Sequence, residues 1–200
     1  MTVACAGIET PVLLVATPQV NDPFFDHGVV LLLHHDEDGS FGFNLNRPTE
    51  LAIQEILSGF KIPWEGDPSS PAYFGGPVQP QLGSVLFGSA PDAPLPDPRM
   101  TTTAAEVCPG LRMTQHVDDL ALLAQRPPPG FRLYLGYAGW GAGQLIDEIL
   151  RNDWLLVPVI DELVFSDEPQ AIWARALEAA GVDPQTLPSW TQDQSQTESN

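Results

Sequence analysis

Aromatic rings and backbone donors are concentrated in one glycine-rich stretch of this sequence, between residues 136 and 144. Tyr137 and Trp140 stand among four glycines there, and Gln144 follows the last of them. Glycine allows another group to approach closely, and a helix that begins after Gly143 leaves its first N–H donors unpaired. The stretch therefore has two open interpretations, a small-ligand site or a tight structural corner.

The spacing of these glycines excludes the common phosphate-binding motifs. The glycines at 139, 141 and 143 step by two, so they miss the dinucleotide fingerprint, and no Gly-Lys-Ser/Thr follows for a P-loop. The sequence also contains no Gly-x-Ser-x-Gly nucleophile elbow. An anion at the helix start is disfavoured because Asp147 and Glu148 already bring negative charge to it. We therefore assign no catalytic residue and no cofactor, and we favour the structural corner.

Two further junctions could combine with this stretch into one site. Asn46 and Arg47 stand where a predicted strand gives way to a predicted helix, and Gly75 and Gly76 precede Pro77. Such junctions gather at one end of the sheet when the strands run as in an open α/β fold. The candidate ligand-binding residues are accordingly Asn46, Arg47, Gly75, Gly76, Tyr137, Gly139, Trp140, Gly141 and Gln144.

Arg47 also has a structural interpretation, which the composition favours. In so acidic a chain, an arginine at the junction of two elements most often pairs with a nearby carboxylate, and Asp22 or Asp26 could supply it. A planar guanidinium beside backbone donors can also bind the carboxylate or phosphate of a ligand. Both roles stay open, with the ion pair favoured.

Metal and thiol chemistry find little support in the sequence. His34 and His35 would point to opposite faces of a strand, so they cannot chelate one ion with regular geometry. Cys5 and Cys108 have no metal-ligand spacing, and no helix start or basic cluster near Cys108 would lower its pKa. We expect no metal site, no disulfide and no thiol nucleophile.

The charge balance restricts the partners. The chain has 26 acidic residues against 8 Lys and Arg, for a formal net charge of −18, which opposes binding to nucleic-acid backbones and anionic membranes. No apolar run approaches the roughly 20 residues needed to cross a bilayer, and the start lacks a secretory signal. We predict a cytoplasmic protein whose partner is an unknown protein or small molecule, with neither nucleic acid nor membrane as a direct partner.

Hydrophobic patterning predicts the elements that must position these residues. It places strands over 12–16, 29–33, 41–46, 72–74, 84–87 and 154–159, and helices over 47–58, 116–126, 144–152 and 166–181. A strand-like run that starts at Phe131 is expected to break at the glycines that follow it. Intermixed strands and helices favour an α/β fold of the mixed α+β kind. We predict a single compact domain over 1–188, with a mixed, partly antiparallel sheet and helices packed on it. Residues 189–200 are predicted to be a disordered polar tail, since 191–200 contain no apolar residue.

A series of motifs occurs in a fixed order between residues 12 and 181. They are Leu14-Val15-Ala16-Thr17-Pro18, Asn21-Asp22-Pro23-Phe24-Phe25, Val29-Val30-Leu31-Leu32 ending in His35, Gly42-Phe43-Asn44-Leu45-Asn46-Arg47-Pro48, Gly75-Gly76-Pro77-Val78, and Leu135-Gly136-Tyr137-Ala138-Gly139-Trp140-Gly141-Ala142-Gly143-Gln144-Leu145. Together they resemble the bacterial YqgE/AlgH family, whose biochemical activity is uncharacterised. The resemblance implies a compact α/β fold and a cytosolic protein. One member of the family is described as a transcriptional regulator of alginate synthesis, on genetic grounds more than from a demonstrated DNA interaction.

Two positions depart from the family pattern. Gly28 stands where the family usually has Ser or Thr, and Ile146 stands where it usually has Glu. A catalytic role of either position in relatives would not carry over to this chain.

Three functions stay open at this point. The leading hypothesis is a non-enzymatic regulatory or interaction protein that binds a small ligand. The second is a hydrolase using His35 or Asp22 with Arg47 and backbone donors around residues 139–143. The third is a transcriptional regulator acting directly on DNA, which the net charge of −18 disfavours.

Overall fold

A curled, mostly antiparallel sheet dominates the computed structural model, which describes residues 7–88, 95, 98–101 and 103–183. The sheet has ten strands within the described residues. They are β1 (Val12–Ala16), β2 (Val29–His35), β3 (Gly39–Asn44), β4 (Pro48–Ala52), β5 (Pro71–Phe74), β6 (Val78–Gly88), β7 (Ala105–Cys108), β8 (Leu111–Thr114), β9 (Phe131–Gly141) and β10 (Trp154–Val157). The helices are α1 (Ile53–Gly59), α2 (Val117–Gln125), α3 (Gln144–Leu150), α4 (Asp161–Val164) and α5 (Pro169–Ala179), with a 3₁₀ turn at Pro98–Thr101.

The strands follow the spatial order β10-β1-β2-β3-β9-β6-β8-β7. Strand β5 lies parallel to the first half of β9 and carries β4 on its other side, whereas the other described pairings are antiparallel. The predicted fold class, a mixed and partly antiparallel sheet with helices packed on it, is confirmed. None of the described helices is both long enough and apolar enough to cross a membrane.

Strands β1 and β2 are buried on both faces, as their continuous apolar runs predict. Leu13 and Leu31 face a core that α4 and α5 complete. Leu14 and Val30, which are chain neighbours of Leu13 and Leu31, face a second core, closed by α3 with Trp140 and Trp154. A third core lies under α1 and α2, against β6 and β9.

The prediction of a helix over 47–58 is wrong in its first half. Residues Pro48–Ala52 form β4, and the helix begins at Ile53. Pairing with β5 decides this: Pro48 lies opposite Tyr73, and the Thr49 hydroxyl donates to the carbonyl oxygen of Ala72 over 2.8 Å. This long-range partner overrides the local apolar spacing.

The glycine-rich stretch is not the break in a strand that its composition predicts. Strand β9 continues through Gly136 and Gly139 to Gly141, because its second half pairs with β3. The helix after Gly143 is confirmed as α3, although it ends at Leu150 rather than 152. Helix α5 begins at Pro169, three residues after the predicted start.

Local patterning also missed other elements. The hairpin of β7 and β8 and the short helix α4 were not predicted, and the last strand ends at Val157 rather than 159. The described residues leave out most of 89–98, whose four prolines predict an extended loop. They also leave out the predicted tail over 189–200 and the domain boundary at 188, so these stay predictions.

Candidate functional site

Gly75 and Gly76 lie against the backbone of β9, in a contact that we call the glycine crossing. The Gly75 amide donates to the Leu135 carbonyl over 2.9 Å, and its own carbonyl accepts the Asn44 amide at 2.9 Å. A Cβ on Gly76 would lie 2.2 Å from the backbone nitrogen of Ala138. These two glycines therefore allow close approach of backbone to backbone.

Asn46 and Arg47 bind the loop that precedes β2. The Asn46 side chain accepts the Val29 amide at 3.0 Å and donates to the His27 carbonyl at 2.8 Å. The Arg47 guanidinium donates to the carbonyl oxygens of Phe24 and Asp26. Arg47 thus has the structural role that the composition favours, but through carbonyl oxygens in place of the predicted carboxylate of Asp22 or Asp26.

We expect Asn46→Ala to lower the free energy of unfolding by about 2 kcal/mol, since it removes a 9% exposed amide and leaves the Val29 N–H and the His27 carbonyl without their partner. Urea unfolding followed by circular dichroism measures the loss. Asn21→Ala is the matched control, because Asn21 is an exposed asparagine of the same loop region, and its change should stay within about 0.5 kcal/mol. Equal losses for the two variants would show that the Asn46 bonds do not stabilise the loop.

Trp140, Gly141 and Gln144 connect β9 to α3. The Trp140 indole N–H donates to Glu148 Oε2 over 2.8 Å, and the Trp154 indole N–H donates to the same oxygen over 2.8 Å. Gln144 accepts the Gly141 amide at 3.1 Å and donates to Glu148 Oε1 at 2.9 Å. A single carboxylate therefore joins two tryptophans to the start of the helix.

A cleft of about 640 Å³ opens beside the second half of β9. One wall is the hairpin of β2 and β3, and the other is a bulge in β6, where β6 takes five residue steps from Val78 to Gly83 while β9 takes two. Gln79 lies in this bulge with a φ of 48°. Tyr137, Gly139 and Trp140 line the cleft from β9.

The hairpin wall carries an aromatic and acidic series of side chains. The Phe41 ring meets the Tyr137 ring edge-on, with centroids 6.1 Å apart, and lies 6.2 Å from the His34 ring. His34 Nε2 lies 2.7 Å from Asp36 Oδ2, and Asp36 Oδ1 accepts the amide of Asp38 at 2.9 Å. The hydrogen bond from His34, and then the one from the Asp38 amide, lower the pKa of Asp36, so this carboxyl stays ionised.

A serine of this wall forms a second polar pair with a histidine that does not line the cleft. Ser40 lines the cleft, and its hydroxyl oxygen lies 2.7 Å from His35 Nδ1. His34 and His35 therefore have separate partners, Asp36 and Ser40. Within the described residues no group of three or more His, Cys, Asp or Glu side chains is placed to bind a metal ion.

The described cysteine has little thiolate character. Partial burial, followed by the nearby carboxylates of Asp161 and Glu106, raises the pKa of Cys108 above its ordinary value. Because the thiolate is the nucleophile, this environment opposes a catalytic role.

The candidate residues divide into groups rather than converging on one cavity. Tyr137, Gly139 and Trp140 line the cleft, whereas Gly75 and Gly76 pack on the β9 backbone. The remaining candidates bind the 22–28 loop or the start of α3, as described for Asn46, Arg47, Gly141 and Gln144. As a ligand site the whole set stays a prediction.

Sequence reasoning missed most of the hairpin wall. From the sequence, His34 was considered only with His35 as a metal ligand, and nothing local connects it to Tyr137. The link is the β3–β9 pairing, in which Ser40 lies opposite Trp140 and Phe41 opposite Gly139. The alternation of Phe41, Gly42 and Phe43 is a signal for a strand, but it does not indicate the strand's partner.

A family model described as AlgH-like matches residues 13–185. Among curated relatives, a UPF0301 protein from Myxococcus xanthus is 39% identical over 178 residues, covering 88% of this chain and 93% of the relative. A UPF0301 protein from Idiomarina loihiensis is 34% identical, covering 86% of this chain and 90% of the relative.

Two solved structures are similar to this one. The solution structure of the AlgH protein from Pseudomonas aeruginosa has a TM-score of 0.71 at 31% identity, covering 88% of this chain and 94% of that one. A crystal structure of a protein from Corynebacterium diphtheriae has a TM-score of 0.71 at 24% identity, covering 86% of this chain and 87% of that one, which shows the fold alone.

Proposed function

The chain belongs to the AlgH-like family, and from this premise we propose that it is a non-enzymatic regulatory or interaction protein that binds a small ligand in the cleft. The observation that supports the proposal is the cleft itself. Its volume of about 640 Å³ falls within the range of small-molecule sites, and it combines apolar rings with a few polar groups. No complete catalytic motif accompanies it in the sequence.

The three cleft residues of the glycine-rich stretch determine the shape of the proposed site. Gly139 leaves room where a Cβ would lie 3.2 Å from the Tyr137 ring and 3.3 Å from the Val78 side chain. The missing side chain lets Tyr137 lie across the strand and form the floor of the cleft beside Phe41. In the proposed site, the glycine therefore positions the ring that a ligand would contact.

A thermal-shift screen of metabolites and nucleotides against the full chain tests the proposal. A ligand at a hundred times its dissociation constant adds about 2.7 kcal/mol of stability, so a true ligand gives a clear rise in melting temperature. Tyr137→Leu should abolish that rise, whereas Phe60→Leu, an exposed ring that does not line the cleft, should leave it unchanged. A rise that survives Tyr137→Leu would place the ligand elsewhere, and the absence of any hit would count against ligand binding.

The Ser40–His35 pair favours a hydrolase as the second candidate function. The Ser40 hydroxyl lies 2.7 Å from the imidazole of His35, which does not itself line the cleft, and a hydroxyl beside an imidazole is the arrangement of a nucleophile and its base. This pairing replaces the His35, Asp22 and Arg47 set considered from the sequence, since Asp22 Oδ1 accepts the Phe24 amide and Arg47 binds loop carbonyls. Turnover of nitrophenyl esters that is lost in Ser40→Ala would support the hydrolase; no turnover above background would dismiss it.

A further inference from the structure

The charges and rings around the cleft indicate the chemical class of its ligand. Resting on the proposed function, we propose that the cleft binds an organic cation, an ammonium or guanidinium group, between the rings of Phe41 and Tyr137 and the carboxylates of Asp36 and Asp38.

The balance of charge within the cleft is negative. Asp36 and Asp38 both line it, and the described lining residues include neither lysine nor arginine. Its histidine, His34, already bonds to Asp36 at 2.7 Å. The formal net charge of −18 adds to the local potential, so anions are repelled and cations are attracted to the cleft.

The rings supply a second attraction for the same class of ligand. Phe41 and Tyr137 meet edge-on at 6.1 Å and are partly exposed at the cleft. The face of an aromatic ring carries partial negative charge, which attracts ammonium and guanidinium groups. The core of this protein already contains one such contact, with the Arg132 guanidinium carbon 4.1 Å from the centre of the Tyr73 ring.

The hairpin turn keeps the acidic groups in place. Asp36 Oδ1 accepts the amides of Asp38 and Gly39, at 2.9 and 3.1 Å, which fixes the turn and the direction of the carboxylate. The hydrogen bond from His34, and after it those from the two amides, stabilise the ionised form of Asp36, so its negative charge is present beside the cleft. A cation would thus enter a cleft whose rings and charges are already arranged.

An NMR titration of the full chain tests the ligand class and its location together. Spermidine and an arginine-containing tripeptide are the cationic probes, and citrate and glucose are the anionic and neutral controls, all at constant ionic strength. We expect saturable shifts of the Gly39 and Gly139 amides with the cations only. Tighter binding of the tripeptide would identify a protein side chain as the source of the cation, and tighter binding of spermidine would identify a free amine.

The variants separate a specific site from general attraction to an acidic protein. The double variant Asp36→Asn/Asp38→Asn keeps an acceptor for the turn amides, and it should weaken cation binding about tenfold, or about 1.4 kcal/mol. Glu178→Gln removes an exposed charge on α5 that does not line the cleft, and it should leave the dissociation constant unchanged. If Glu178→Gln and the aspartate variant weaken binding equally, net charge alone explains the attraction, and the inference is overturned.

Different results would contradict the cationic ligand class and the ligand site itself. If citrate, glucose or a hit from the thermal-shift screen binds at Gly139 and the aspartate variant binds it equally well, the cation class is wrong while the ligand site stands. If no probe or screen compound of any charge shifts Gly39 or Gly139, both proposals are wrong.

Discussion

Gly76→Ala is expected to destabilise the protein by more than about 3 kcal/mol, a large part of the stability of a typical domain. Gly76 has a φ of +155°, which L-residues rarely adopt. A Cβ there would lie 2.2 Å from the Ala138 nitrogen and 2.2 Å from the Tyr137 carbonyl carbon. Both neighbours are backbone atoms of β9, so relief requires moving a central strand.

Substitutions at two other glycines separate the two causes of this stability loss, which are backbone strain at a positive φ and the steric clash of the added Cβ. Gly143 has a φ of +74° but open space around its Cβ position, so Gly143→Ala measures backbone strain alone, at about 1 kcal/mol. Gly59 has open space and no positive φ, so Gly59→Ala should be neutral or slightly stabilising at the end of α1. Urea unfolding of the three variants gives the series, and a Gly76→Ala loss no larger than that of Gly143→Ala would show that the crossing relaxes at little cost.

How far the sequence predicts this fold depends on whether a segment's partners lie nearby in the chain. Strands β1 and β2 are predictable because burial on both faces requires continuous apolar runs. The helix over Val117–Gln125 is predictable because its apolar spacing and the following prolines agree. Residues 48–52 were misassigned because their strand state depends on β5, about twenty residues away.

The same limit applies to the candidate site. Tyr137, Gly139 and Trp140 were candidates from the sequence because glycines beside large rings are a local signal. Their neighbours Asp36 and Phe41 were not, since about one hundred residues of chain separate the two strands that bring them together. Asn46 shows a different difficulty. The sequence marks it as a polar residue but does not reveal whether its buried side-chain amide binds the protein backbone or a ligand.

The position of Glu148 explains why the glycine-rich stretch ends in a helix. Trp140 and Trp154 are 6% and 3% exposed, so their indole N–H groups depend on protein acceptors. Both donate to Oε2 of Glu148 at 2.8 Å, one from β9 and one from β10. Helix α3 places that carboxylate between two strands that are not neighbours in the sheet.

Glu148→Ala is therefore expected to lower the free energy of unfolding by about 3 kcal/mol, since it leaves two buried donors without their acceptor. Glu148→Gln retains an acceptor oxygen but loses the charge, so its loss should be about 1 kcal/mol. Asp147→Ala is the matched control, because Asp147 is the exposed neighbour on the same helix, and its effect should stay within about 0.5 kcal/mol. Urea unfolding gives these energies, and near-ultraviolet circular dichroism reports whether the tryptophan environments change only in the Glu148 variants. If Asp147→Ala and Glu148→Ala lose the same stability, the double acceptor does not hold β9 and β10 together, and α3 stabilises the sheet through apolar packing of Leu145 and Ile149.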